Sequence, residues 1–165
     1  MTDIDKLTRE TIDNGGILIL LYYDLHSPDQ EKLKQLATGF VDQIIKTQGV
    51  VYALGEIDEP IESNGLFSTT IEVKALVKDM RSLINVCSLY PPISVEILRP
   101  NEIKLSIDKT HDILMDISTN WFGIKKFIKE RVSTKEELEE YKKYLDNRME
   151  VGKKMLEKKE TNKDK

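Results

Sequence analysis

Two stretches of the chain carry opposite hydrophobic patterns. Ile17 to Tyr23 (ILILLYY) is apolar at both parities, which predicts a strand buried on both faces. Phe67 to Ala75 (FSTTIEVKA) alternates, with Phe67, Thr69, Ile71, Val73 and Ala75 on one side and Ser68, Thr70, Glu72 and Lys74 on the other. That alternation predicts a half-solvated strand. A sheet holding both is backed by helices on one face and stays partly apolar on the other.

The remaining patterns place elements around this pair. Ile4, Leu7 and Ile12 sit at helical spacing within 2–13, and Asn14-Gly15-Gly16 stops that helix. The first strand covers 17–24. Ser27-Pro28-Asp29-Gln30 reads as a helix start, with Ser27 as cap, Pro28 at the first helical position and Asp29 favourable to the dipole. Leu33, Leu36, Ala37, Phe40, Val41 and Ile44 then recur with the helix period. Strands are expected at 50–57 and 67–75, the second after an Asn64-Gly65 turn. A second helix over 77–88 ends before Pro91-Pro92, and a last strand covers 93–99.

Residues 17–99 therefore read β-α-β-β-α-β. This order resembles the ferredoxin-like, split βαβ arrangement, an α+β fold with an antiparallel sheet and both helices on one face. The resemblance rests on element order and spans about half the chain, and many unrelated functions share it. Residues 1–16 form a short helix and turn ahead of this core. Residues 100–132 form an extension packing on it, and 133–165 a long C-terminal helix with a frayed tail from 159. Within the extension, Ile103 to Ile107 and Ile113 to Ile117 alternate about Asp108-Lys109-Thr110-His111, which favours a β-hairpin. Ile113, Leu114, Ile117, Trp121, Ile124 and Ile128 also fit a helix, and 120–132 is helical on either reading. Ser133 to Glu136 has capping-box spacing, and Leu138, Tyr141, Leu145, Met149, Gly152 and Leu156 mark a narrow stripe behind it.

If Ile17, Ile19, Leu21 and Tyr23 face the helices, then Leu18, Leu20 and Tyr22 face the other way. Exposed apolar patches above a few hundred Å² mark interfaces. The expected cover is either the Trp121 segment or a second subunit. Leu18, Leu20, Tyr22 and Trp121 are thus the candidate interface residues, and a homo-oligomer is the expected partner.

Composition narrows the compartment. The chain is acidic, with net charge −4 and pI near 5.4, and the 39% hydrophobic content suits a globular domain. Residues 1–100 hold nine Lys/Arg against fifteen Asp/Glu, which disfavours a polyanion partner. The single cysteine, Cys87, forms no intrachain disulfide and suits a reducing compartment. The polar, acidic start does not resemble a secretory leader, and the longest apolar run falls short of the ~20 residues of a membrane helix. A cytoplasmic protein with no membrane partner is expected.

Four constellations could carry chemistry. Asp24, His26, Ser27 and Asp29 follow the first strand, where a titratable imidazole beside a helix N-terminus could hold a small ligand. Capping accounts for Ser27 and Asp29 equally well. Glu56, Asp58, Glu59 and Glu62 are dense but lack calcium-loop spacing, and read as a solvated hairpin loop. Lys125, Lys126, Lys129 and Arg131, interleaved with Trp121, Phe122 and Phe127, could bind nucleic acid; an amphipathic helix with a solvated face gives the same pattern. His111 with Asp108 and Asp112 has no zinc spacing. No phosphate-loop, dinucleotide or hydrolase motif is present, so no catalytic residue, metal or cofactor is assigned. The reading is a non-enzymatic, self-associating interaction or assembly module. RNA or ribonucleoprotein binding through 121–135, and small-molecule sensing after the first strand, are the alternatives.

Overall fold

The ILILLYY run lies at the centre of an open antiparallel sheet. β1 (Ile17–Ser27) pairs on one side with β4 (Leu66–Val77) and on the other with β5 (Ser94–Arg99). β2 (Val50–Ile57) and the short β3 (Ile61–Ser63) both pair with the far edge of β4, giving the order β2-β4-β1-β5. Among the described residues, five helices complete a mixed α+β chain: α1 (Asp3–Asp13), α2 (Gln30–Ile45), α3 (Met80–Leu89), α4 (Ile107–Val132) and α5 (Lys135–Thr161). The computed structural model describes residues 3–161 and falls into two units, Met1–Ser106 and Ile107–Lys165. The tail expected from 159 lies outside the described residues from 162 onward, as does the side chain of Leu156.

The core of the first unit follows strand parity. Ile17, Ile19, Leu21 and Tyr23 pack with Ile71, Val73, Ala75 and Val77 of β4, and with Ala37 and Ile44 of α2 and Leu83 and Val86 of α3. Both helices therefore share one face. β5, at the edge, keeps Val95 and Ile97 about half exposed beside Leu21 and Ile19.

Local chemistry moves several boundaries. The cap of α2 is Asp29, whose carboxylate accepts from the N–H groups of Glu31 and Lys32. Ser27 instead accepts from the Asp29 N–H at 3.1 Å, so Pro28 precedes the cap. Val77 belongs to β4 and is fully buried; α3 starts later because Asp79 caps it through the Ser82 N–H. Gly15 (φ +94°) takes the left-handed position that closes α1. A Cβ on Gly16 would lie 2.7 Å from the Thr11 carbonyl oxygen and 2.9 Å from that of Val77, so close backbone approach explains the second glycine.

The acidic 56–62 stretch runs from the end of β2 into β3, with a break over Asp58, Glu59 and Pro60. Pairing runs from Ile57↔Ile71 to Ile61↔Ser68, so the outer strand accommodates one extra residue. The Thr69 hydroxyl donates to the Asp58 carbonyl there at 2.7 Å. Asn64 (φ 54°) and Gly65 (φ 75°) then make a two-residue hairpin turn with both centres left-handed.

The hairpin expected over 103–117 does not form. Residues 107–132 are one 26-residue helix. The Asp108-Lys109-Thr110-His111 segment offers no glycine or asparagine for a tight turn, whereas the apolar helical repeat continues unbroken to Val132. Ile103, ahead of the helix, packs against the core of the first unit.

Candidate interaction surfaces

The face of the sheet opposite α2 and α3 is built in rows by register. Leu18 pairs with Leu76, and Leu76 with Tyr52. The next row is Leu54, Lys74, Leu20 and Glu96; the one after is Glu56, Glu72, Tyr22 and Ser94. A β-bulge at Val51 produces this arrangement, placing Val50 and Ala53 on the helix side while Tyr52 and Leu54 face out.

One end of this face is closed by α1. The Thr8 hydroxyl lies 2.9 Å from the Tyr52 hydroxyl and also donates to the Ile4 carbonyl at 2.7 Å. Leu18 is only 6% exposed and Leu76 is fully buried. Leu18 therefore belongs to the interior of the fold. Leu20 and Tyr22, further along the strand, stay half-buried, and Leu54 is exposed. Partial burial, then the carboxylates of Glu72 and Glu96, hold the Tyr22 hydroxyl above its ordinary pKa. The uncovered middle of the sheet is thus apolar at its centre and acidic around it.

Strand alternation divides the cluster after the first strand. Asp24 and His26 lie on the open face, with His26 Nε2 2.9 Å from Asp24 Oδ2 and Nδ1 2.8 Å from the Ser68 hydroxyl. Ser27 turns to the other side and is buried, and Asp29 is engaged by α2. The structure thus joins Asp24 and His26 to Ser68, the residue directly across from His26, and separates them from Ser27 and Asp29. About half of the Asp24 and His26 side-chain surface is in solvent. Ser68 was legible only through strand register, which the alternation of Phe67–Ala75 does not supply.

On the helix side, Cys87 packs at the core margin, and burial pushes its thiol above the ordinary value, away from thiolate chemistry. Among the described residues, no group of three or more His, Cys, Asp or Glu is placed to hold a metal. None of the described helices is long and apolar enough to cross a membrane.

In the second unit, α4 and α5 meet through Lys129, whose ammonium lies 4.5 Å from the Tyr141 ring centroid, and through Arg148 over Phe122. Of the α5 stripe read from the sequence, Leu138, Tyr141, Leu145 and Gly152 are partly covered, whereas Met149 is 62% exposed. The α5 cap is one residue later than Ser133–Glu136: the Thr134 hydroxyl accepts from the Glu137 N–H, and the Glu137 carboxylate accepts from the Thr134 N–H. Of the candidate nucleic-acid residues, Lys126 pairs with Glu130 at 3.9 Å, Lys129 lies over Tyr141 and Arg131 over Phe127. Trp121, Ile124, Ile128 and Val132 share one side of α4 and are 58%, 48%, 52% and 76% exposed. His111 and its neighbours Asp108 and Asp112 are also exposed.

No curated protein and no solved structure matches the chain. One family model does, and it runs from Leu18 in β1 into α5, across both units. With residues 18–156 matched, the chain belongs to the MJ0538 family.

Proposed function

We propose that this protein is a non-enzymatic assembly module that associates with itself. The observation carrying this reading is the apolar side of α4. Trp121, Ile124, Ile128 and Val132 recur at helical spacing and are each about half exposed or more. Fully burying such a side chain is worth about 1.5–3 kcal/mol, and about half or more of each surface is still to be covered, so covering the stripe is a substantial driving force. The carboxylates on the open sheet face and the intramolecular partners of Lys126, Lys129 and Arg131 weigh against a nucleic-acid role.

The sheet supports a ferredoxin-like reading of the first unit. With β3 taken as β2 continued past Pro60, the strands run second, third, first, fourth, and α2 and α3 share one face. A free Cys87 beside the core fits a cytoplasmic, reducing compartment. The test of self-association is size-exclusion chromatography with light scattering at tens of micromolar. A mass at twice the 19.0 kDa chain or above supports the module, and a strict monomer overturns it.

A further inference from the structure

The geometry points to a specific pairing, resting on the self-association just proposed: the acidic open sheet face of one copy receives the basic-flanked apolar side of α4 of a second copy. The two surfaces are complementary in both shape of pattern and charge. On the sheet, Leu20, Tyr22 and Leu54 form an apolar centre, with Glu56, Glu72 and Glu96 in the same two rows and Lys74 as the base among them. On α4, Lys125 borders the Trp121–Val132 side along one edge and Arg131 borders it along the other, by the helix repeat. The acidic residues Asp108, Asp112, Asp116 and Glu130 recur on the opposite side of the same helix.

Lys126, paired with Glu130, and Lys129, over the Tyr141 ring, lie away from this strip, so Lys125 and Arg131 are the cations that border it. The strip they flank meets a sheet whose apolar centre is bordered by Glu56, Glu72 and Glu96 with Lys74 among them, a net acidic surface. The pairing is reciprocal in a two-fold dimer, since each copy offers both surfaces.

Charge reversal with mixing tests it on the full chain. Glu56→Lys/Glu96→Lys reverses the sheet, and Lys125→Glu/Arg131→Glu reverses α4. Each variant alone, folded by circular dichroism, is expected to weaken dimerisation at least tenfold in sedimentation velocity. Their equimolar mixture is expected to recover the dimer, because both contacts then join opposite charges. The native dimer is also expected to weaken as NaCl rises from 50 to 500 mM, as screened charge pairs do. A native dimer that either folded variant leaves intact, or a mixture that stays monomeric, overturns the pairing while leaving self-association standing. A native monomer overturns both. If the sheet variant does not fold, the α4 variant and the salt series decide: a dimer unchanged by either refutes the pairing.

Discussion

Tyr23 offers the sharpest test of the core. Its side chain is 3% exposed, and its ring meets Phe40 edge-on at 4.7 Å between centroids. Its hydroxyl is buried without a hydrogen-bond partner among the described residues. An unsatisfied buried hydroxyl costs about 1–3 kcal/mol of desolvation, whereas the ring packing does not depend on it. Tyr23→Phe removes the oxygen and keeps the ring. The variant should be more stable by about 1 kcal/mol at pH 7, read as a raised urea midpoint with an unchanged slope.

The pH dependence gives a second readout of the same substitution. Burial first, then the neighbouring Cys87 and Tyr90, raise the Tyr23 pKa well above its ordinary value of 10.0. Below pH 10 the hydroxyl is neutral in both states and contributes no pH dependence. Above it, the unfolded chain loses the proton while the folded chain keeps it, so stability falls as pH rises. The slope for one such group approaches about 1.4 kcal/mol per pH unit. Tyr23→Phe should flatten the fall between pH 9.5 and 11, with the other tyrosines common to both proteins. A loss of more than 1 kcal/mol at pH 7 would refute the claim that this oxygen lacks a partner, and an unchanged alkaline slope would refute the burial of the hydroxyl.

Two further substitutions probe the joints of the fold. Gly16→Ala puts a methyl against the carbonyl oxygens of Thr11 and Val77, neither of which belongs to a flexible side chain. It should cost about 1–3 kcal/mol in thermal or urea unfolding, as overpacking does, and a neutral result would show that the α1–β1 joint has slack. Thr134→Ala removes the reciprocal cap of α5. A loss of about 0.5–2 kcal/mol is expected, seen as reduced helical signal on heating; Ser133→Ala should be nearly silent, and the reverse order would place the cap at Ser133.

Local rules made most of the first unit legible. The double-parity run 17–23 reads as a central strand because both of its sides are apolar, and β1 lies between β4 and β5. The burial along Thr69–Ala75 follows its alternation, with Phe67 and Ser68 ahead of it both partly covered, and Asn64-Gly65 makes the hairpin turn its φ preferences demand. Boundaries slipped where two residues could serve one role. Ser27 and Asp29 both cap well, as do Ser133 and Thr134, and only the path of the incoming chain selects between them. The helix over 107–132 was misread because short apolar runs fit both periods, and deciding between them takes the unbroken repeat as far as Val132.

The candidate surfaces depended on information that no local window holds. That Leu18 would be shielded, while Leu20 and Tyr22 stay half-buried, depends on where α1 returns across the sheet, a contact between residues as far apart as Thr8 and Tyr52. That His26 would find Ser68, and Tyr22 would sit opposite Glu72 with Glu96 one row away, depends on strand register. Hydrophobic period and turn chemistry act over a few residues, so the chain by itself determined which segments are strands and helices and which sides are apolar. Register, the bulge at Val51 and the docking of α1 are set by packing across distant segments, so only the tertiary structure decided which apolar residues are sealed and which charges ring those left open.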